Sequence, residues 1–165
     1  MITVRTIICK LGGQSNSSPE IIKSYPALDL SSEQSQVLLT RCLPVGIKTD
    51  NYSLGKFKKN EVISYGFKIM QSEDRSDLFT LSFLLKKRLD AEIYQPLLKG
   101  IIEIMREKDL LTEDILRDNI QTIHFGINEE KTINIGNLPI DLSSIFEDIK
   151  SKLTKPKPEL KGSFF

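Results

Sequence analysis

The chain has 165 residues, with 23 Lys and Arg against 22 Asp and Glu, which gives a net charge of +1 at neutral pH. This length suits one domain with its own core, and the near-neutral charge argues against a dedicated nucleic-acid binder, which should be strongly basic. One histidine and two cysteines nearly exclude a multi-ligand zinc site or a disulfide framework, so we expect neither a metal nor another cofactor.

Hydrophobic patterning predicts both strands and helices along the chain. In chain order they are a strand at 3–11, a strand at 20–25, a helix from 31 to 43, strands at 52–57, 62–70 and 78–85, helices at 93–108 and 112–123, a short strand or extended arm at 131–135, and a helix at 141–153. The loop at 12–19 and the polar segment at 71–77 consist of turn-forming residues. Ser31 and Gln34 fit a capping box at the start of the first helix.

This order predicts an α/β chain of the α+β sandwich type. We expect a five-stranded antiparallel sheet with one helix on one face and two on the other, plus a C-terminal helix. Strand 78–85 is apolar on both faces and is therefore expected at the centre. The predicted units are a domain at 1–125, a C-terminal arm and amphipathic helix at 126–153, and a flexible basic tail at 154–165.

Residues that could carry out catalysis form no recognisable set, so we expect a protein that is not an enzyme. His124 lies in an apolar stretch, and Cys9 and Cys42 lie where cysteines usually behave as small hydrophobes. Gly12 and Gly13 follow a strand, but no phosphate-binding motif accompanies them. Binding is the remaining class of function.

Localisation follows from what the sequence lacks. No run of roughly 18 apolar residues is present, and the first residues do not have the pattern of a secretory signal. We therefore expect a cytoplasmic protein with no membrane span, in which the lysine-rich tail makes at most a peripheral membrane contact.

The hairpin-first order resembles the longin domain, the profilin-like module of vesicle-trafficking and GTPase-regulating proteins. Short sequence words support the resemblance to DENN-type longin-like proteins: Gly12-Gly13, Ser18-Pro19, Tyr25-Pro26 before the capped helix at Ser31, and Leu43-Pro44-Val45-Gly46 after it. The resemblance covers about residues 2–123, and a chain of this size and composition is most similar to archaeal forms related to eukaryotic trafficking proteins.

The resemblance implies a non-catalytic scaffold that pairs with another longin or roadblock domain, or with itself, and that engages a small GTPase or a membrane-trafficking partner. The alternative is a roadblock- or profilin-like module that homodimerises as a GTPase platform or binds cytoskeletal filaments. A roadblock domain begins with a helix, whereas this chain begins with strands.

The predicted partner-binding segment is the short strand at 52–57 and the turn after it. Aromatic and apolar anchors inside a charged rim suit a binding surface, because a few buried rings carry most of the binding energy. A partner strand added at this edge would also satisfy its free backbone groups. The candidate residues are Tyr52, Leu54, Lys56, Phe57, Lys58 and Lys59.

Overall fold

The computed structural model describes residues 3–14, 16–86 and 91–154. Its elements are β1 (Thr3–Leu11), β2 (Glu20–Tyr25), α1 (Ser32–Cys42), β3 (Tyr52–Phe57), β4 (Asn60–Ser72), β5 (Arg75–Leu85), α2 (Ala91–Glu107), α3 (Glu113–Asp118), α4 (Ile120–Glu129), β6 (Thr132–Ile135), β7 (Leu138–Asp141) and α5 (Leu142–Thr154). The first eight of these follow the predicted order.

The main sheet has five antiparallel strands in the order β2-β1-β5-β4-β3. β5 is the central strand, as its two apolar faces predict. Phe79, Leu81 and Phe83 of β5 are buried on one face, and Leu84 is buried on the other. The outer strands β2 and β3 are the two edges of the sheet.

Helices cover both faces of the sheet. α1 contacts β1, β3, β4 and β5 on one face, whereas α2 contacts β4 and β5 and α4 contacts β1 and β2 on the other. Each face therefore has its own apolar cluster, built in the first case around Leu38 and Val62 and in the second around Leu98 and Ile123. The prediction of a mixed fold around a five-stranded antiparallel sheet is confirmed.

The turn between β4 and β5 is shorter than the predicted polar segment at 71–77. The ladder continues as far as the pair Ser72–Arg75, which leaves only Glu73 and Asp74 as the turn. Polar side chains are compatible with a strand here because both strands are solvent-exposed near the turn, and backbone pairing does not require an apolar surface.

The predicted helix at 112–123 is divided in two by Asn119. The Asn119 side-chain amide donates to the Ile115 carbonyl at 2.8 Å and so satisfies a carbonyl acceptor in the last turn of α3. α4 then continues to Glu129, past the predicted domain boundary between residues 125 and 126, which therefore lies inside a helix.

The segment after α4 folds back onto the same core. β6 and β7 form a hairpin whose turn residues, Gly136 and Asn137, both have positive φ (58° and 65°). α5 packs against α2, with the Phe146 ring 5.8 Å from that of Tyr94. The C-terminal helix is thus docked on its own chain. Of the predicted tail at 154–165, residues 155–165 lie outside the described ranges.

Candidate interaction edge

β3 is one edge of the sheet, as required for a strand that pairs with a partner. Among the described residues its one sheet neighbour is β4, in a register that places Tyr52 opposite Tyr65, Leu54 opposite Ile63 and Phe57 opposite Asn60. In an antiparallel ladder, residues alternate between positions that bond the neighbouring strand and positions whose N–H and C=O point away from it.

Two observations fix which β3 residues point outward. Phe57 and Asn60 flank the two-residue turn and are therefore a hydrogen-bonded pair, and the Gly66 N–H bonds the Asn51 carbonyl at 2.9 Å. The same alternation turns the backbone groups of Tyr52, Leu54 and Lys56 outward. We call these three residues the β3 edge.

The side chains of the β3 edge are exposed on the α2 side of the sheet. Tyr52 is 38% exposed and Leu54 is 44% exposed, although both are large apolar side chains. The Tyr52 ring contacts that of Tyr65 at 5.2 Å, and the Tyr65 hydroxyl donates to Asp50 at 2.9 Å. Burial first and the charge of Glu103 second raise the pKa of the Tyr52 hydroxyl above its ordinary value.

Phe57 is not an exposed anchor, contrary to expectation. It is 8% exposed and belongs to the cluster under α1, together with Val62 and Leu84. The period-two alternation of a strand already separates Phe57 from Tyr52 and Leu54, because odd and even positions face opposite sides of the sheet. That signal was sufficient to show that Phe57 does not share a face with Tyr52 and Leu54.

The three predicted lysines differ in their surroundings. Lys56 Nζ lies 3.8 Å from Glu61 across the ladder. Lys58 and Lys59 form the exposed turn, where Lys58 has a φ of 55° and its ammonium lies 5.5 Å from the centre of the Phe57 ring. The three lysines therefore make one end of β3 basic, and the charge of Lys56 is already balanced by that of Glu61.

Arg41 of α1 is a site residue that sequence reasoning did not identify. Its Nε donates to the Lys56 carbonyl oxygen at 3.0 Å, which is one of the outward-facing acceptors of the β3 edge. The contact joins a helix to a strand 15 residues later, and no local sequence pattern marks it.

The opposite edge, β2, is less suited to pairing. Its ladder with β1 is interrupted by an irregularity between Ile8 and Cys9, and bulges of this kind twist an edge away from a flat template. Glu20 and Lys23 also place exposed charges of both signs on β2. Charge on an edge strand opposes the addition of a further strand.

His124 and Gly13, the other candidates from the sequence, make contacts that hold the fold together. His124 Nδ1 is 2.9 Å from Thr6 Oγ1, and the ring is 1% exposed. The Gly13 N–H donates to Asp77 at 2.8 Å, and a Cβ at Gly13 would overlap the Ser76 carbonyl oxygen. The glycine is thus explained by close backbone approach at this end of the sheet.

Two further properties bear on the class of site. Within residues 3–14, 16–86 and 91–154, no helix has the length and apolar character needed to cross a membrane. Over the same ranges, no three His, Cys, Asp or Glu side chains come together in a way that could hold a metal ion.

Comparison with known proteins gives no family assignment. No protein-family model matches the chain, and no curated protein matches it in sequence.

Proposed function

We propose that this chain is a longin-like, non-catalytic interaction module of a small-GTPase or membrane-trafficking system, and that it pairs with a partner sheet through the β3 edge. The order of its elements supports the proposal: a hairpin comes first, then a capped helix on one face, then a three-strand meander, and then helices on the other face. The longin resemblance implies the same sequence of parts.

The observation that carries the proposal is the exposure of backbone and apolar side chains at the same three positions. Tyr52, Leu54 and Lys56 offer N–H and C=O groups outward, and two of the three side chains are large and apolar. Strand addition satisfies the backbone groups, and the side chains supply buried area. An edge strand with apolar side chains and with neither charge nor bulge at its centre is otherwise an aggregation hazard, which a dedicated partner removes.

The β3 edge is also complementary to a second copy of itself. In an antiparallel pair centred on Leu54, the two Leu54 side chains stand opposite each other, and Tyr52 of each copy stands opposite Lys56 of the other. All three outward-facing residues then lie at hydrogen-bonded positions, and each ammonium lies near an aromatic ring. Arg41 does not prevent this pairing, because a carbonyl oxygen has two lone pairs and Arg41 occupies one on Lys56.

Proline at Leu54 tests the pairing, because it removes the central outward N–H without removing a bond of the chain's own sheet. We expect Leu54→Pro to lower the association constant at least tenfold in sedimentation equilibrium, about 1.4 kcal/mol or more, with the far-ultraviolet circular dichroism unchanged. The control Leu54→Val keeps the N–H and should associate like the wild type. Equal association of Leu54→Pro and the wild type would contradict pairing at this edge.

The structure also shows which variants are unsuitable. The Ser53 N–H points toward β4, so Ser53→Pro would break the ladder of the domain itself. Reversing the charge of Lys56 would place a carboxylate beside Glu61. A loss of association in either variant would then report damage to the fold as well as to the interface.

The GTPase part of the proposal has a separate test. Immobilised wild-type chain and Leu54→Pro are exposed to purified candidate small GTPases loaded with GDP or with a non-hydrolysable GTP analogue. We expect retention that depends on the nucleotide. Retention that is absent, or equal for both nucleotides, across the candidates would contradict a role in a GTPase system and would leave the pairing result unaffected.

A further inference from the structure

The only two cysteines of the chain meet between α1 and the main sheet. Cys9 lies in the C-terminal half of β1, opposite Thr80 of β5, and Cys42 is the last residue of α1. Both are fully buried, at 0% exposure, and both belong to the apolar cluster under α1. The fold therefore brings together two thiols that are far apart in the sequence.

Both cysteines are free thiols in the structure, and their side chains lie in the same buried cluster, one on each side of the interface between α1 and β1. Interaction with the neighbouring Cys42 thiol first, and burial second, raise the pKa of Cys9 well above its ordinary value. A thiol with a raised pKa is a poor nucleophile, because the thiolate is the reactive form. Cys9 therefore does not have the surroundings of a reactive cysteine while α1 is docked.

We infer that Cys9 and Cys42 are a modification site, at which a reversible disulfide joins α1 to β1. The oxidant is a small disulfide such as oxidised glutathione. One cysteine, as its thiolate, attacks a glutathione sulfur and releases one glutathione, which leaves a mixed disulfide on the protein. The other thiolate attacks the protein sulfur of that disulfide and releases the second glutathione. The two cysteine protons end on the two released thiols.

The way α1 is held explains how a buried pair becomes accessible. α1 buries only Leu38, Leu39 and Cys42, whereas α2 buries seven side chains on the other face of the sheet. Brief detachment of α1 exposes both thiols and leaves the larger core intact, as expected for a locally opening unit. Redocking then brings the two sulfurs back together, which favours the intramolecular bond over a second glutathione adduct.

The full chain is incubated with oxidised glutathione under native conditions and then examined by intact mass and by non-reducing peptide mapping. We expect a mass lower by two hydrogen atoms, a peptide containing Cys9 linked to one containing Cys42, and reversal by dithiothreitol. The crosslinked chain should melt several degrees higher, since the loop between the cysteines is closed in the unfolded state.

Cys42→Ala is the matched control, because it leaves Cys9 in place and cannot form the bond. It should show no loss of mass and no rise in melting temperature under the same treatment. The inference is overturned if the wild type keeps both thiols, if it carries only glutathione adducts, or if the crosslink forms only in denaturant. None of these results would bear on pairing at the β3 edge.

Discussion

At the scale of single residues, two polar side chains of α4 contact the start of β1. His124 lies between Thr6 of β1 and Asn128 of its own helix, and its ring is edge-on to Tyr25 at 5.1 Å. The Asn128 side chain bonds both the N–H and the C=O of Thr3 at 2.9 Å and so completes the end of β1. These contacts fasten α4 to the sheet.

His124 predicts a pH dependence of stability that can be assigned to one group, because the chain has a single histidine. Burial first and the charge of Arg5 second lower the pKa of His124 in the folded state. Below the unfolded value of about 6.5, the unfolded chain binds a proton that the folded chain does not. The free energy of unfolding should therefore fall as the pH decreases from about 7.5 to 5.5, by at most about 1.4 kcal/mol per pH unit.

The measurement is urea unfolding of the wild type and of His124→Gln across this pH range. Glutamine keeps a polar group beside Thr6 and does not titrate. The variant should be less stable at neutral pH, with a flatter dependence of its free energy of unfolding on pH. Identical slopes for the two proteins would show that His124 is not the buried neutral group described here.

Residue-scale features were predictable from the sequence where they are local. Ser31 accepts from the Gln34 N–H and Thr112 from the Ile115 N–H, both at 3.2 Å, as their spacing predicts. The hydrogen bond between Arg41 and Lys56 joins α1 to β3, and the burial of Cys9 and Cys42 in one cluster joins β1 to α1. These two pairings depend on the tertiary fold, and the spacing of the residues in the sequence does not predict them.

At the scale of elements, the C-terminal hairpin is the part that sequence reasoning missed. The Gly136-Asn137 pair between apolar, β-branched segments is a signal for a two-residue hairpin turn, and it was available in the sequence. The hairpin packs on α4 at Gly126, where a Cβ would overlap the Ile133 Cγ2 atom and lie 3.0 Å from Leu142 Cδ1. A glycine at this position of α4 is required by close packing.

Two helical glycines should therefore respond to alanine in opposite directions. Gly126→Ala forces the hairpin away from α4, and we expect a loss of about 1–3 kcal/mol in the free energy of unfolding. Gly100→Ala in α2 places its Cβ 3.7 Å from Ile145 Cγ2, an ordinary contact, and should gain about 0.5–1 kcal/mol from the better helix propensity of alanine. Chemical denaturation measures both.

The comparison between the two variants is informative because the substitution is identical and both sites lie inside helices. A stabilising Gly126→Ala would contradict the docking of the hairpin on α4. A destabilising Gly100→Ala would instead contradict the spacing between α2 and α5.

At the scale of the whole molecule, the helices cover both faces of the sheet, and the two edges of the sheet differ in how well they suit a partner strand. β2 carries a bulge and charges of both signs, whereas β3 presents Tyr52 and Leu54 with outward backbone groups. The position of β3 at an edge followed from its shortness and from the order of the elements. The direction of its backbone groups did not, because it depends on the register with β4.

Charge placed at Leu54 tests the self-pairing of the β3 edge most directly, because the proposed two-fold axis sets this residue opposite itself. Leu54→Lys and Leu54→Glu should each be monomeric in sedimentation equilibrium at concentrations where the wild type dimerises, and their equimolar mixture should recover the dimer. Met70→Lys, at an exposed position of β4 beyond the reach of β3, is the control and should behave like the wild type. A wild type that remains monomeric, or single variants that dimerise as well as it does, would contradict pairing at this edge.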